Sequence, residues 1–66
     1  MKLRVDPQID AAYLRIREEA VADSEEVAPG IVLDFDAKGE VLGIELLGLS
    51  SKQRSLTSVE IEPKAA

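Results

Sequence analysis

Apolar and polar residues alternate with a period of two through much of this chain. The clearest run lies between Pro29 and Leu47. Ile31, Leu33 and Phe35 alternate with Val32, Asp34 and Asp36, and Leu42, Ile44 and Leu46 alternate with Val41, Gly43 and Glu45. A period of two places each set on one face of a strand. Between the runs stands Asp36-Ala37-Lys38-Gly39. Asp suits the first position of a type I turn, and Gly takes the positive φ at its end. Taken as a four-residue loop, this hairpin sets Phe35 opposite Glu40, Leu33 opposite Leu42 and Ile31 opposite Ile44, which puts the apolar rows on one face. A three-residue loop would set Leu33 against Gly43 and break the rows. Val32, Val41 and Leu47 fall on the second face.

A second hairpin is predicted at the start of the chain. Met1 to Asp6 reads as a strand with Leu3 and Val5 on one face, Asp6-Pro7 opens a turn, and Ala12, Leu14 and Ile16 alternate with Tyr13, Arg15 and Arg17. A helix over Asp10 to Glu19 is the competing reading, since Ala, Leu, Arg and Glu are good helix formers; the strict alternation favours the strand. Glu18 to Ala28 is acidic and weakly patterned, with Ser24 to Val27 as a short extended piece, and Pro29-Gly30 punctuates its end. Leu49 to Arg54 is predicted as a helical turn capped by Ser50 or Ser51. Ser58 to Glu62 alternates again, as an added strand or an arm on a neighbouring subunit, and Pro63 to Ala66 is expected to fray.

These elements predict a mainly β (or small α+β) fold. It is a four-stranded antiparallel meander of two hairpins with a short C-terminal helical turn and a candidate fifth strand. Residues 1–54 form one domain, and residues 55–66 a tail or added strand. Leu14, Ile16, Leu33, Phe35, Leu42 and Ile44 are the expected core, with the apolar face of the central hairpin buried there or at a dimer interface.

Size and composition change this picture in one respect. A chain of 66 residues buries a small core and needs reinforcement. It has no Cys for disulfides or thiolate zinc sites and no His, so a homodimer is expected. The net charge of −5 is uneven. Residues 1–17 carry a balance of +2, whereas residues 18–49 hold nine acids against Lys38. The acidic balance argues against nucleic acid as a partner. No apolar run approaches a membrane span and no signal peptide is visible, so a cytoplasmic location without membrane contact is expected.

Val5-Asp6-Pro7 followed by Asp10-Ala11-Ala12-Tyr13-Leu14-Arg15-Ile16, then Val27-Ala28-Pro29-Gly30, Asp34-Phe35-Asp36, Gly39 and Val41-Leu42-Gly43-Ile44-Glu45-Leu46-Leu47, resembles a family of short bacterial and archaeal proteins, the domain of unknown function numbered 2283. The resemblance covers about residues 3–52. Val5 and Phe35 stand where that family often has Tyr, and the tail after Arg54 has no clear counterpart. The resemblance implies a small β-rich domain, transfers no catalytic residues, and associates the chain with antitoxin-type partners of small toxins.

Three constellations carry candidate chemistry. Asp34, Asp36, Gly39, Val41 and Glu45 fall at the first, third, sixth, eighth and twelfth positions of a calcium-loop pattern. Lys38 and Leu42 occupy ligand positions, and Pro29-Gly30 precludes the preceding helix, so Asp34, Asp36 and Glu45 read as polar strand rows rather than metal ligands. Lys2, Arg4, Tyr13, Arg15 and Arg17 share the outer face of the first hairpin. They form either a phosphate-binding patch with one stacking ring or, as we prefer, a solvated face or one meeting the acidic rows of the second hairpin. Glu18, Glu19, Asp23, Glu25 and Glu26 form either a solvated loop or a surface for a small basic partner, with Glu25 and Glu26 as its contact residues.

Catalysis has little basis. The Ser residues have no His base, there is no Cys nucleophile, and no cofactor is implied. The sequence therefore points to a non-enzymatic protein-interaction module, antitoxin-like or regulatory. The alternative is a ligand- or metal-binding domain at a dimer cleft.

Overall fold

The computed structural model describes residues 1–52 and 60–64. Five antiparallel strands form one sheet: β1 (Lys2–Asp6), β2 (Ala11–Arg15), β3 (Asp23–Ala28), β4 (Ile31–Phe35) and β5 (Val41–Leu47). The short helix α1 (Leu49–Lys52) follows. The fold is thus mainly β with a C-terminal helical turn, and both predicted hairpins are present. Among the described residues no helix is long and apolar enough to cross a membrane.

The order of the strands is β1-β2-β5-β4-β3, which corrects the simple meander. β3, β4 and β5 form a meander of their own, and the β1–β2 hairpin adds to its β5 side. Composition explains the arrangement. β5 is Val-Leu-Gly-Ile-Glu-Leu-Leu, the longest strand and the one with the most apolar side chains, and it takes the centre. β3, Asp-Ser-Glu-Glu-Val-Ala, takes the edge beyond β4, where charged side chains stay hydrated and discourage further pairing. The fifth strand of the sheet is Asp23–Ala28. Residues 60–62 carry no strand, and Ser58 and Val59 lie outside the described residues.

The central hairpin pairs Leu33 with Ile44 and Ile31 with Leu46, two residues away from the predicted register. Phe35 pairs with Val41 and Asp34 with Gly43, so Leu42 is the extra residue of a bulge. A shift of two keeps the apolar rows on one face, because side chains repeat every two residues. The loop is Ala37-Lys38-Gly39, closed by Asp36 and Glu40, and not the expected four residues. It shifts the pairing by one and puts Val41 opposite Phe35, and the bulge adds the second residue of the shift. The turn itself is held by Gly39 N donating to Asp36 O at 3.0 Å and Asp36 N donating to Glu40 O at 2.9 Å, with Gly39 at φ 81°.

Register fixes two faces. Leu3, Leu14, Ile44, Leu33 and Glu25 form one continuous row across all five strands, flanked by Val5, Ala12, Leu46 and Ile31. The opposite face carries Arg4, Tyr13, Glu45, Val32 and Glu26, and beside them Lys2, Arg15, Gly43, Asp34 and Ser24. Among the described residues only Ala11, Ala12, Leu42 and Leu49 are buried apolar side chains, and only Leu42, at 0 % exposure, is a large side chain buried completely. Of the six expected core residues, Leu14, Ile16, Leu33, Phe35 and Ile44 remain half-exposed. The reason is architectural: a β-domain core needs two layers, and the described residues supply one.

Candidate functional site

The polar face is built around Tyr13. Its hydroxyl donates to Asp34 Oδ2 at 2.7 Å, and Ser24 Oγ donates to Asp34 Oδ1 at 2.6 Å. Arg15 Nη1 donates to the Tyr13 oxygen at 3.3 Å. The chain thereby links β2, β4 and β3 over the surface of β5. Gly43 of β5 makes this possible, since a Cβ there would overlap the Tyr13 ring, 2.6 Å from Cζ. Partial burial and the bond to Asp34 raise the Tyr13 phenol above its ordinary range, so it remains a donor through neutral pH.

Arg15 is equally committed. Its Nε donates to Arg17 O at 2.8 Å and its Nη2 to Glu19 O, folding the segment after β2 back on itself. Arg17 turns away from the basic face toward the β4–β5 turn. Its Nη2 lies 2.9 Å from Asp36 Oδ2 and 3.4 Å from Glu40 Oε2, while Nη1 is 3.3 Å from Glu19. Lys2 pairs with Glu18 at 3.3 Å. Of the predicted basic group, Lys2, Arg4, Tyr13 and Arg15 do share a face, and Arg17 does not join them. That face meets the acidic rows side by side within one sheet. Arg4, Lys2, Arg15 and Tyr13 line an open depression on it.

Asp36 is 6 % exposed. Its Oδ1 accepts from Glu40 N at 2.9 Å and Lys38 N at 2.8 Å, and its Oδ2 accepts from Arg17. The Glu40 amide first, and then the Arg17 guanidinium, hold its carboxyl below the usual range. The same contact raises Arg17. Of the three weak metal candidates, Asp34 thus serves Tyr13 and Ser24, Asp36 closes the turn, and Glu45 lies on the polar face opposite Tyr13 and Val32. Among the described residues no three acidic side chains converge as a metal site would require.

Asp10 supplies a contact the sequence reading did not anticipate. At φ 56°, its carboxylate accepts from Ser50 N at 3.0 and 3.1 Å and from Ser50 Oγ at 2.7 Å. Leu49 N donates to Asp10 O at 3.1 Å. The start of α1 is therefore capped by a residue forty positions away rather than by Ser50 or Ser51, and Leu49 is buried beside it. Arg54, the predicted end of this helix, lies outside the described residues.

The acidic segment divides. Glu18 and Glu19 hold the Arg and Lys partners named above. Glu25 faces the apolar side opposite Leu33, and Glu26 faces the polar side opposite Val32, so the two predicted contact residues point in opposite directions. A more extended feature is the apolar face itself: Leu3 is 49 % exposed and Val5 37 %, and Leu14, Ile44, Leu33, Ile31, Leu46 and Phe35 are half-buried. A contiguous apolar face of this kind marks an interaction surface. Period-two alternation names most of these residues, as a core or an interface.

A family model described as Protein of unknown function (DUF2283) matches residues 2–50. No curated protein and no solved structure matches the chain.

Proposed function

This chain belongs to the family of proteins of unknown function DUF2283, and from that premise we propose that it is a non-enzymatic protein-interaction module whose binding surface is the apolar face of its sheet. The observation that carries this reading is the continuous row Leu3, Leu14, Ile44 and Leu33, of which Leu3 is exposed and the others are only half-buried. Each buried aliphatic side chain of such a face contributes about 1.5–3 kcal/mol. Leaving the face in water forfeits that in a chain too short to compensate.

The polar face supports a non-enzymatic role. Asp34, Asp36 and Arg15 are held by neighbouring strands and turns, which makes them structural ties rather than groups poised for proton transfer. The three candidate carboxylates do not favour the alternative of a ligand or metal site. Glu26 and Glu45 face outward on the polar side, where they suit a small basic partner in an antitoxin-like or regulatory role.

The chain has no Cys, so single cysteines report the faces cleanly. A cysteine replacing Leu33 should react with a maleimide in dilute protein that sediments as a monomer and become protected where the face is occupied, while one replacing exposed Lys38 keeps its rate. Protection of the Leu33 site in the monomer itself would mean that the chain covers its own apolar face, and the reading would fail.

A further inference from the structure

We propose that the open edge of β1 is a docking site for an extended strand, and that its occupant is the segment 60–62 of a second copy of this chain. The segment pairs antiparallel, with Glu60 opposite Arg4, Ile61 opposite Leu3 and Glu62 opposite Lys2. This site is an edge of the sheet, and it stands apart from the apolar face and whatever occupies that.

The two edges of the sheet differ in what they accept. β1 pairs with β2 on one side and with no strand on the other. It is regular over Lys2–Asp6, without the proline or bulge by which many edges refuse a partner. Its guard is charge. Lys2 and Arg4 stand on the polar face, where they repel another basic strand and favour an acidic one. Lys2 holds an exposed surface pair with Glu18, and Arg4 makes no hydrogen bond or ion pair with any described residue. Leu3 and Val5 face the apolar side of the same edge and are 49 % and 37 % exposed. The opposite edge, β3, carries Asp23, Glu25 and Glu26 and a register shift between Glu26 and Ala28, so it rejects an acidic strand on both counts.

The segment 60–62 carries the complementary alternation. Extended, it sets Glu60 and Glu62 on one face and Ile61 on the other. In the protomer all three are exposed and carry no strand, and Ile61 is 88 % exposed. One protomer thus holds both an open edge and an unpaired strand that fits it, and exchange between two copies satisfies both. Eight residue steps from Lys52 to Glu60 reach at most about 28 Å, enough chain to leave the parent sheet. Faces fix the register. With Ile61 opposite Leu3, the apolar row Leu3, Leu14, Ile44 and Leu33 is extended, while Glu60 and Glu62 meet Arg4 and Lys2 on the polar side. A slip of one residue would put both acids on the apolar face. Pro63 fixes the direction. Antiparallel, it falls opposite Met1, beyond β1, where its missing N–H costs no ladder bond; parallel, it would stand opposite Val5 within the ladder. Two arms exchanged in this way close the assembly at two copies.

The test reads the amides of Glu60, Ile61 and Glu62 by hydrogen exchange in the full-length chain, with the amides of β4 as the folding reference. At about 100 µM the segment should exchange about tenfold more slowly than at about 1 µM, where the copies separate. Arg4→Glu alone and Glu60→Arg alone each set like charges across the ladder and should lose this protection. An equimolar mixture of the two variants should regain it, because the arm of each then meets the opposite charge on the edge of the other. Protection that survives dilution, or that returns only when both substitutions sit in one chain, overturns the exchange between copies. Amides unprotected at every concentration overturn the docking site, and protection indifferent to both substitutions overturns the pairing with β1. Leu33 lies on β4, away from this edge, so none of these failures alters the maleimide result at Leu33→Cys that tests the apolar face.

Discussion

Asp36 accepts two backbone N–H groups and one guanidinium at the tip of the β4–β5 turn, and all three favour its ionised form. Its folded pKa therefore lies below its unfolded value of about 3.9. The resulting stability is fully present above that unfolded value and is lost as pH falls through the folded one. Asp36→Asn should lower the unfolding midpoint in denaturant at pH 7, and its deficit relative to wild type should shrink below about pH 4. A deficit independent of pH would show that Asp36 acts through shape alone. Gly43 is the second residue whose chemistry is set by a neighbour. Gly43→Ala must displace the Tyr13 ring, at a cost of about 1–3 kcal/mol for an overpacked site. Tyr13 is the chain's single tyrosine, so its absorbance near 295 nm reports the phenol directly. In wild type the phenol should ionise above its ordinary value, and in Gly43→Ala this rise should diminish.

At the scale of elements, the link between Asp10 and α1 invites a direct test. Asp10→Ala removes the acceptor for Ser50 N and Oγ and should cost about 1 kcal/mol, the usual worth of an N-cap. Asp10→Asn should recover most of it, measured by the same denaturant melts.

Much of the element structure was legible in the sequence. Both hairpins follow from alternation, and a strand was correctly preferred to a helix at Ala11–Arg15. The hairpin register was not legible, because the turn closes one residue away from the expected pairing and the Leu42 bulge adds a second, which leaves the alternation unchanged. β3 was seen only as an extended piece, since an edge strand that is exposed on both faces needs no alternation. Within the site, alternation singled out Tyr13 and Arg15. Ser24 gave no signal, and Gly43 gave one that went unread: a glycine inside a strand marks the close approach of another group. Asp10 could not be paired with Ser50 from sequence, because that contact spans forty residues.

For the whole molecule, a sheet with one apolar and one polar face supplies one layer where a β-domain core needs two. Occupation of that face, as proposed, would couple stability to the concentration of whatever binds it. Where the occupant is a further copy of the chain, the thermal midpoint should rise on going from nanomolar to micromolar protein, as followed by circular dichroism. Phe35→Ala, half-exposed in the protomer, should cost about 3–5 kcal/mol where the face is covered and visibly less at high dilution. A midpoint indifferent to concentration would mean that the protomer is stable by itself.

The strand order has a further consequence, for the sequence of assembly. β3, β4 and β5 are neighbours along the chain and can zip together locally, whereas the β2–β5 seam joins Leu14 to Ile44 across thirty residues and closes a long loop. The β1–β2 hairpin should therefore dock last and leave first, with its amides exchanging hydrogen faster than those of β4. Because that hairpin joins the remaining strands through the single stretch 16–22, the chain is in effect a three-stranded receptor and a two-stranded insert. Residues 1–19 and 20–66, produced as separate pieces, should recombine into the native sheet.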